Sequence, residues 1–506
     1  MKSSNERRLL PLQLTLAVAA ALSLAACAPK PADQGSESAR KWGSITFEPC
    51  ALEGSQGMDA EKAYCAVHEV PENPAQPNGR KIKLNLAMLP ARNDGGEDPI
   101  VFLAGGPGQA AVAYGSYAGL ILQQANRNRD ILLVDQRGTG KSNALSCPEA
   151  EKKYKVVDVT LTPAEQLESM KACHAEIATT ADTRFYTTAN FVDDLERIRK
   201  AIGAKQYNLV GISYGTRSAQ KYAAAYPQNV RSMVLDGVAP NDLVIGADFA
   251  RQLDNALKKQ DEYCAKESSC KKTYGGDLSQ RLRALRVKLD GSPASVQVRD
   301  QKTNQTKDIR ITGDQMVSLV QKLAYQPEAM SILPLLIQTA EQGDYQPLGA
   351  LINTMGAESS GIEAGLYMSV TCAEDMPRWN ANGDASQFLM GRDVRKDFEA
   401  ACKLWPSGTM PTDFAKTPVL QIPTLMLSGD LDPVTPPSYA QSIIKQFPNG
   451  RSLVLKGSSH GSMTRGCTSR LVGQFIDRGD AKSLDASCLD SLGFIPPFTS
   501  FNGWEP

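Results

Sequence analysis

The chain has 506 residues, of which 42% are hydrophobic and 22% are charged, as in an ordinary globular protein with an ample core. Lys and Arg together number 55, and so do Asp and Glu. This balance argues against a nucleic-acid or other polyanionic partner.

The N-terminus has the pattern of an export signal, because Lys2, Arg7 and Arg8 precede an apolar run too short to span a membrane permanently. Small residues then lead into Cys27. This resembles the lipobox of bacterial lipoproteins, in which the signal is cleaved before a cysteine that becomes lipidated. Residues 1–26 are therefore predicted to be a lipoprotein signal peptide. A plain secretory signal cleaved nearby is the alternative.

A tether is predicted after this cysteine, since residues 27–43 are largely polar and would join the lipid to the folded part. The mature protein would then be exported, with the membrane as a partner through the lipid on Cys27. Ala28 suits retention in the outer membrane of a two-membrane bacterium. We therefore expect a protein anchored at the cell envelope that faces the periplasm.

Eleven cysteines agree with export, because disulfides persist in oxidising compartments. If Cys27 carries lipid, ten of the eleven remain, and loop-closure entropy favours pairing between neighbours. No C-x-x-C spacing occurs and the chain has only three histidines, so no metal site is predicted. The expected disulfides are Cys50–Cys65, Cys147–Cys173, Cys264–Cys270, Cys372–Cys402 and Cys467–Cys488.

Strand and helix patterns alternate up to about residue 240. An alternating strand pattern at 81–89 is followed by continuous apolar runs at 100–104 and 131–134, which suit central strands covered on both faces. Further strands are predicted at 44–48, 64–70, 207–210, 232–235, 424–427 and 452–455, and helices at 114–127, 189–203 and 218–226. The alternation predicts an α/β fold with a mostly parallel central sheet between helices.

This alternation is lost in residues 241–415, which read as a largely helical cap insertion between two parts of the core, 44–240 and 416–506. Helices are predicted at 247–266, 278–289, 313–325, 327–342 and 388–405, with a hairpin within 296–311. We therefore expect one core with a cap inserted into it, and no second independent sheet domain.

Residues 210–216 place Ser213 between two glycines, after an apolar run and before an Ala-rich segment. A strand, a glycine-flanked serine and a helix form the signature of a nucleophile elbow, in which the serine hydroxyl is exposed at the strand's end. A glycine-flanked serine also occurs by chance, so the assignment depends on whether the chain supplies a base and an acid for it. Ser213 is the candidate nucleophile.

A serine hydroxyl needs a base to take its proton, and this base is usually histidine. His460 follows a predicted strand in a Gly/Ser-rich loop, whereas His68 and His174 lie in strand and helix patterns and are expected to be structural. The loop after the preceding predicted strand offers Asp432 as the acid that orients the imidazole, with Asp430 as the alternative. The order serine, aspartate, histidine is that of the α/β-hydrolase triad.

The oxyanion that develops during acyl transfer needs fixed hydrogen-bond donors. One is expected to be the backbone N–H of Tyr214, which follows the candidate nucleophile. The other is expected in the glycine-rich residues 105–108, where Pro107 has no N–H and Gly106 is the choice. Read alone, this glycine run could be only a turn.

Four segments together resemble the proline iminopeptidase family, and more closely its exported, tripeptidyl aminopeptidase-like branch. They are Gly105-Gly106-Pro107-Gly108, Asp135-Gln136-Arg137-Gly138-Thr139-Gly140-Lys141-Ser142, the glycine-flanked serine segment and residues 429–436. The resemblance covers residues from about 45 to 240 and from 415 to 490, and implies an α/β-hydrolase fold. Ala104 stands where the family usually has a histidine.

In that family, acidic residues of the cap hold the free α-amine of the substrate. Residues 369–375 resemble the Cys-x-Glu segment of the branch, which implies Glu374 as the amine-binding residue, with Asp375 beside it. The alternative is a solvated acidic pair next to a disulfide.

The leading hypothesis is therefore an exported serine aminopeptidase that cleaves short N-terminal units from peptides through an acyl-enzyme, without a metal or organic cofactor. An esterase or lipase would use the same triad, because fold and triad do not separate amide from ester chemistry. A non-catalytic hydrolase-fold binding protein is a further alternative. The presence of the serine, the aspartate and the histidine together argues against it.

Overall fold

The computed structural model describes residues 38–54, 58–93, 95–96, 98–154, 163–275, 277–300, 303–356, 361–380, 387–391 and 394–502. The predicted signal peptide, Cys27 and the tether up to residue 37 lie outside these residues. The elements described below belong to one compact unit that begins at Arg40. No helix within the described ranges is long and apolar enough to cross a membrane.

Twelve strands are present in the described residues. They are β1 (Arg40–Trp42), β2 (Ile45–Leu52), β3 (Glu61–Pro71), β4 (Lys81–Leu89), β5 (Ile100–Leu103), β6 (Ile131–Val134), β7 (Tyr207–Ile212), β8 (Val230–Asp236), β9 (Ala294–Arg299), β10 (Thr306–Ile311), β11 (Thr424–Gly429) and β12 (Gly450–Leu455). Ten of them form one sheet in the order β1-β2-β3-β4-β6-β5-β7-β8-β11-β12. Pairing is antiparallel from β1 to β6 along this order and parallel from β6 to β12.

Sixteen α-helices are present in the described residues, all of them after β5. They are α1 (Gly115–Ile121), α2 (Pro148–Tyr154), α3 (Pro163–Ile177), α4 (Thr188–Ile202), α5 (Tyr214–Ala225), α6 (Phe249–Cys264), α7 (Ser268–Tyr274), α8 (Leu278–Gly291), α9 (Gly313–Ala324), α10 (Pro327–Met330), α11 (Leu333–Glu341), α12 (Gln346–Gly356), α13 (Ala364–Val370), α14 (Val394–Cys402), α15 (Pro437–Ile443) and α16 (Thr468–Arg478). A π-helical turn, Thr371–Asp375, continues α13.

The continuous apolar runs form central strands because both faces of the sheet are covered. Val101 and Leu103 of β5 belong to the core on one face, whereas Ile100 and Phe102 belong to the core on the other. Successive side chains of a strand point to opposite faces, so a strand buried on both sides has no polar position. The predicted mostly parallel central sheet is confirmed.

The segment between β8 and β11 adds no strand to the ten-stranded sheet in the described residues. Its β9 and β10 pair with each other as an antiparallel hairpin, and its helices α6 and α8 to α12 contribute to a separate apolar core. The helix predicted at 327–342 is divided into α10 and α11. Pro334 lies in the first turn of α11, where its missing N–H is tolerated, so a new helix begins there. The cap boundaries stay a prediction.

The sheet begins earlier than the predicted end of the tether, because β1 lies within residues 27–43. Trp42 packs its ring edge-on against Phe47 at 4.8 Å, and the Arg40 guanidinium lies 4.5 Å from the ring centre of Tyr64. These contacts anchor a short strand that has too little apolar pattern to be predicted.

All five expected disulfides are present in the structure. They join Cys50 to Cys65, Cys147 to Cys173, Cys264 to Cys270, Cys372 to Cys402 and Cys467 to Cys488. The Cys372–Cys402 bond connects the π-helical turn to the end of α14. It therefore restrains the chain next to the predicted amine-binding residues.

Candidate active site

Ser213 lies at the sharp turn between β7 and α5. Its φ of 56° and ψ of −125° are unusual for a residue with a side chain. The turn is held at both ends, because the Ser213 N–H donates to the Asp236 carbonyl at 2.9 Å and the Thr216 hydroxyl donates to the Ser213 carbonyl at 2.6 Å. Backbone strain held in this way is typical of a positioned functional residue.

The two glycines of the serine segment are required by close backbone contacts. A Cβ atom on Gly211 would lie 2.5 Å from the Gly215 carbonyl oxygen. A Cβ atom on Gly215 would lie 2.1 Å from the carbonyl oxygen of Leu103, at the end of β5. The strand, the turn and the helix can pack this closely only without these side chains, as a nucleophile elbow requires.

His460 follows β12 and contacts the predicted acid. Its Nδ1 lies 2.8 Å from Oδ2 of Asp432, which follows β11. The other carboxylate oxygen of Asp432 accepts hydrogen bonds from the backbone N–H groups of Val434, at 2.9 Å, and Thr435, at 2.8 Å. Asp430 instead accepts from the Tyr263 hydroxyl and the N–H of Gly457. The structure therefore brings Asp432, the predicted choice, and not Asp430, to His460.

The two side chains shift each other's pKa in opposite directions. Burial alone would raise the pKa of Asp432, but the charge of His460 and the hydrogen bonds from His460 and the Thr435 and Val434 N–H groups lower it. Burial alone would lower the pKa of His460, but the negative charge of Asp432 raises it. Asp432 therefore stays ionised at neutral pH and makes the imidazole a stronger base.

Thr435 was not among the predicted site residues. Its hydroxyl lies 2.8 Å from Oδ2 of Asp432 and 3.0 Å from Nδ1 of His460. A hydroxyl has one proton to donate, and the carboxylate accepts it. The sequence signal was an aspartate followed by residues whose backbone N–H groups can fold back onto its carboxylate, which is a common turn at aspartate.

A cavity of about 550 Å³ contains the candidate nucleophile and base. Ser213, His460, Gly105 and Gly106 line it, with Gln109 and Tyr325 among the other walls. A Cβ atom on Gly105 would lie 3.1 Å from Cβ of Ser213, so the glycine-rich turn lies directly against the elbow. The structure thus places Gly106 at the cavity and Tyr214 at the start of α5, next to Ser213.

Comparison with known proteins identifies the family. A model of the alpha/beta hydrolase fold matches residues 98–463. The chain belongs to the alpha/beta hydrolase fold family. The predicted fold class is confirmed.

Relatives of this hydrolase cover nearly the whole chain. Serine protease Hip1 of Mycobacterium tuberculosis (strain ATCC 25618 / H37Rv) is 24% identical over 478 residues, covering 88% of this chain and 91% of Hip1. Tripeptidyl aminopeptidase of Streptomyces lividans is 23% identical over 481 residues, covering 88% of this chain and 86% of the relative. The solved proline iminopeptidase of Mycobacterium smegmatis has 16% identity and a TM-score of 0.37, covering 82% of this chain and 98% of that protein.

Glu374 and Asp375 of the hydrolase are buried and paired with protein groups. Glu374 accepts from the N–H of Thr188 at 2.6 Å and from its hydroxyl at 2.8 Å, and lies 3.6 Å from Arg217. Asp375 lies 3.1 Å from Arg217 and 2.9 Å from Arg378. Neither carboxylate is among the described residues that line the cavity. The predicted contact with the substrate amine stays a prediction.

This buried network reaches the residue after the nucleophile. The Thr188 hydroxyl lies 2.6 Å from the hydroxyl of Tyr214, and the Tyr214 hydroxyl accepts a hydrogen bond from Gln136 at 3.2 Å. Burial raises the pKa of Glu374 to about 7, against the charge of Arg217, which lowers it. The insertion is therefore joined through Glu374 and Thr188 to the side chain of a residue expected to form the oxyanion hole.

Residues 135–142, one of the four segments that resemble the family, support the loop structure through buried hydrogen bonds. Arg137 is buried and forms two hydrogen bonds of 2.7 Å with Asp194 of α4. Asp135 accepts hydrogen bonds from Asn85 and from the N–H of Val112, both at 2.8 Å. These contacts hold the loop after β6 against α4, β4 and the turn that follows β5.

One ion pair lies in the cavity wall. Glu328 and Arg465 are the charged side chains among its described lining residues, and they contact each other. The Glu328 side chain is 60% exposed and that of Arg465 is 19% exposed. A carboxylate that a bound molecule can reach is therefore present at the cavity. No sequence pattern had indicated it.

Proposed function

We propose that this chain is a serine hydrolase that removes short units from the N-terminus of peptides. The observation that carries the proposal is the 2.8 Å contact between Asp432 and His460, in a cavity that also contains the strained Ser213. A nucleophile, a base and an acid that orients the base form the arrangement required for acyl transfer. The names of the relatives, serine protease and tripeptidyl aminopeptidase, support a peptide substrate.

In the proposed reaction, Ser213 Oγ attacks the scissile carbonyl carbon while His460 accepts the hydroxyl proton. The backbone N–H groups of Tyr214 and Gly106 would stabilise the oxyanion. The C–N bond then breaks, His460 protonates the leaving amine, and an acyl-enzyme remains on Ser213. Water, deprotonated by the same imidazole, hydrolyses this ester and restores the serine. Asp432 stabilises the imidazolium in both steps.

A short substrate agrees with the size of the cavity. Its volume of about 550 Å³ lies within the range of about 300–1,000 Å³ typical of small-molecule sites. The helical segment between β8 and β11 contributes Tyr325 and Ile362 to its wall. A peptide end would fit such a site, whereas the surface of a folded protein would not.

Selection of a free N-terminus requires a carboxylate that the substrate ammonium can reach. The family resemblance implies Glu374 and Asp375, but both are buried and already paired with arginines. Glu328 is also paired with an arginine, Arg465, but it lines the cavity and its side chain is largely exposed, so an ammonium can reach it. We therefore propose Glu328 as the first contact of the ammonium and retain Glu374 as the candidate to compare with it.

A substrate panel tests the function. Aminoacyl, dipeptidyl and tripeptidyl arylamides, their N-acetylated forms and short-chain esters would be assayed with the wild type and Ser213→Ala. We expect kcat/KM for the best free amide to exceed that of its blocked form by at least about tenfold, because blocking removes an ion pair. Equal cleavage of blocked and free amides would refute the aminopeptidase. Cleavage of esters alone would establish an esterase.

The same panel separates the two candidate amine-binding sites. Glu328→Gln should reduce the preference for free over blocked amides by about tenfold if Glu328 holds the ammonium. Glu341→Gln is the matched control, because Glu341 forms a similar exposed ion pair with Arg281 away from the cavity. If only Glu374→Gln removed the preference, the buried carboxylate would be the amine site.

We further propose that the protein is an exported lipoprotein anchored through Cys27, as the N-terminal residues predict. Expressed in a two-membrane bacterium, the wild type should fractionate with the outer membrane, and Cys27→Ser should be released into the soluble envelope fraction. Mass spectrometry of the mature wild type should find an acylated N-terminal cysteine. An unmodified N-terminus created elsewhere would contradict the proposal.

A further inference from the structure

A second buried carboxylate lies beside the candidate catalytic residues. Asp236 ends β8 and its side chain is fully buried. Its Oδ2 accepts a hydrogen bond from the N–H of Met463 at 3.0 Å, and its Oδ1 has no partner among the described residues. Its backbone carbonyl accepts the N–H of Ser213 at 2.9 Å. One residue therefore contacts both the elbow and the loop after His460.

The chain that follows Asp236 touches the imidazole itself. A Cβ atom on Gly237 would lie 3.1 Å from Cε1 and 3.3 Å from Nδ1 of His460. Three titratable groups interact electrostatically with Asp236. The charge of His460 lowers the pKa of Asp236 and that of Asp432 raises it, while the charge of Asp236 raises the pKa of the Tyr117 phenol. The Asp236 carboxylate thus lies in the same water-poor region as the candidate base.

We propose that Asp236 is a positioning residue, whose carboxylate holds the loop of His460 and supplies a second negative charge to the imidazolium that forms during the reaction. The inference rests on the proposed serine-hydrolase function. Charges interact strongly where water is excluded, so even a carboxylate without direct contact stabilises an imidazolium.

The ionisation of Asp236 agrees with this role. Burial raises its pKa to about 6, while the N–H groups of Ser462 and Met463 and the charge of His460 act in the opposite direction. Asp236 is consequently ionised at and above neutral pH. It is also one of the groups that raise the pKa of His460, after Asp432.

A merely structural role would require only a hydrogen-bond acceptor for Met463. Asparagine has such an acceptor, nearly the same shape and no charge. Asp236→Asn therefore removes the charge and leaves the proposed loop contact possible. Asp130→Asn is the matched control, since Asp130 is partly buried, likewise has a pKa raised by burial and lies before β6, away from His460.

The first test is the pH profile of kcat/KM for the best substrate. Asp236→Asn should move the acid limb to lower pH by about one unit and lower the plateau by about tenfold, because His460 becomes less basic and its cation less stabilised. Asp130→Asn should leave both unchanged. An Asp236→Asn profile that matched the wild type in limb and plateau would overturn the proposal.

The second test needs no turnover and so separates failure of this inference from failure of the proposed function. The chain has three histidines, so the His460 resonance can be followed by NMR in the Ser213→Ala protein. We expect a titration curve with a second step near pH 6 from Asp236, and a lower His460 midpoint after Asp236→Asn. A single-step curve in Ser213→Ala would contradict the inference, even if Asp236→Asn failed to fold.

Discussion

Glu374 accepts a hydrogen bond of 2.6 Å from the backbone N–H of Thr188, across 186 positions of the chain. Thr188 begins α4, and its hydroxyl contacts Tyr214, the residue after Ser213. The segment between β8 and β11 is therefore attached to the core beside the nucleophile, through a carboxylate that is fully buried. A change in the ionisation of Glu374 would therefore affect both the contact between this segment and the core and the surroundings of Tyr214, next to the nucleophile.

This attachment predicts how stability depends on pH. Burial raises the pKa of Glu374 from 4.5 to about 7, so the folded state holds this proton more tightly than the unfolded state. The resulting stabilisation is complete below about pH 4.5 and is lost as pH rises through about 7. Relative to Glu374→Gln, the wild type should lose up to about 3 kcal/mol of unfolding free energy between these pH values.

Urea unfolding of the wild type and Glu374→Gln at pH 5 and pH 8 measures this difference. Both variants keep the other buried acids, such as Asp236, so their pH dependence cancels in the comparison. Unfolding free energies that changed in parallel for the two proteins would contradict the assigned pKa shift.

Thr435→Val should lower kcat by about tenfold, because one hydrogen bond to the ionised Asp432 is worth about 1.5–3 kcal/mol and orients the acid towards His460. Val has nearly the same shape, so KM should change little. Thr435→Ser retains the hydroxyl and should retain most of the activity. A Thr435→Val enzyme as active as the wild type would remove Thr435 from the site.

Gly215→Ala tests the close packing under the elbow. Its Cβ would lie 2.1 Å from the Leu103 carbonyl oxygen, a backbone atom that can move only with β5. We expect a loss of about 3 kcal/mol or more in unfolding free energy and a loss of most activity. Gly291→Ala is the control, since nothing lies within 4 Å of its added Cβ. Equal stability of the two variants would contradict this packing.

The disulfides differ in the size of the loop that they close. Replacing both Cys372 and Cys402 by serine opens a loop of 30 residues and should cost about 3–4 kcal/mol in the chain-entropy model. The same change at Cys264 and Cys270, separated by 6 residues, should cost about 2 kcal/mol. Guanidinium unfolding under non-reducing conditions compares them. A larger loss for the shorter loop would contradict the entropic account.

The central strands and the elbow could be predicted because their signals are local. The pattern at 81–89 matches β4, and the helix predicted at 189–203 is α4, which ends at Ile202 and is capped by Gly203 with a φ of 73°. The glycines around Ser213 indicated a tight turn, because a strand and a helix whose backbones are in contact leave no room for side chains there. Periodicity and glycine spacing are set by residues that are close in sequence, so these elements can be predicted without knowing which distant segments they contact.

The remaining parts of the site depend on contacts between distant segments. No local pattern connects Glu374 with Thr188, or Asp375 with Arg217, which lies 158 positions earlier in an Ala-rich helix. The prediction for these acids therefore rested on the family resemblance alone. Asp236 directly follows the strand predicted at 232–235, and no sequence pattern marked it as a site residue. Its proximity to His460 follows from the order in which β7, β8 and β11 lie side by side.

The most direct measurement is the site of covalent labelling by a fluorophosphonate, which reacts with an activated serine as a substrate carbonyl would. Peptide mapping of the intact, disulfide-bonded protein should find one adduct, on Ser213, formed much more slowly in His460→Ala and absent in Ser213→Ala. Labelling at another residue, or no labelling of the folded wild type, would contradict the claim that Ser213, His460 and Asp432 act together as a catalytic unit.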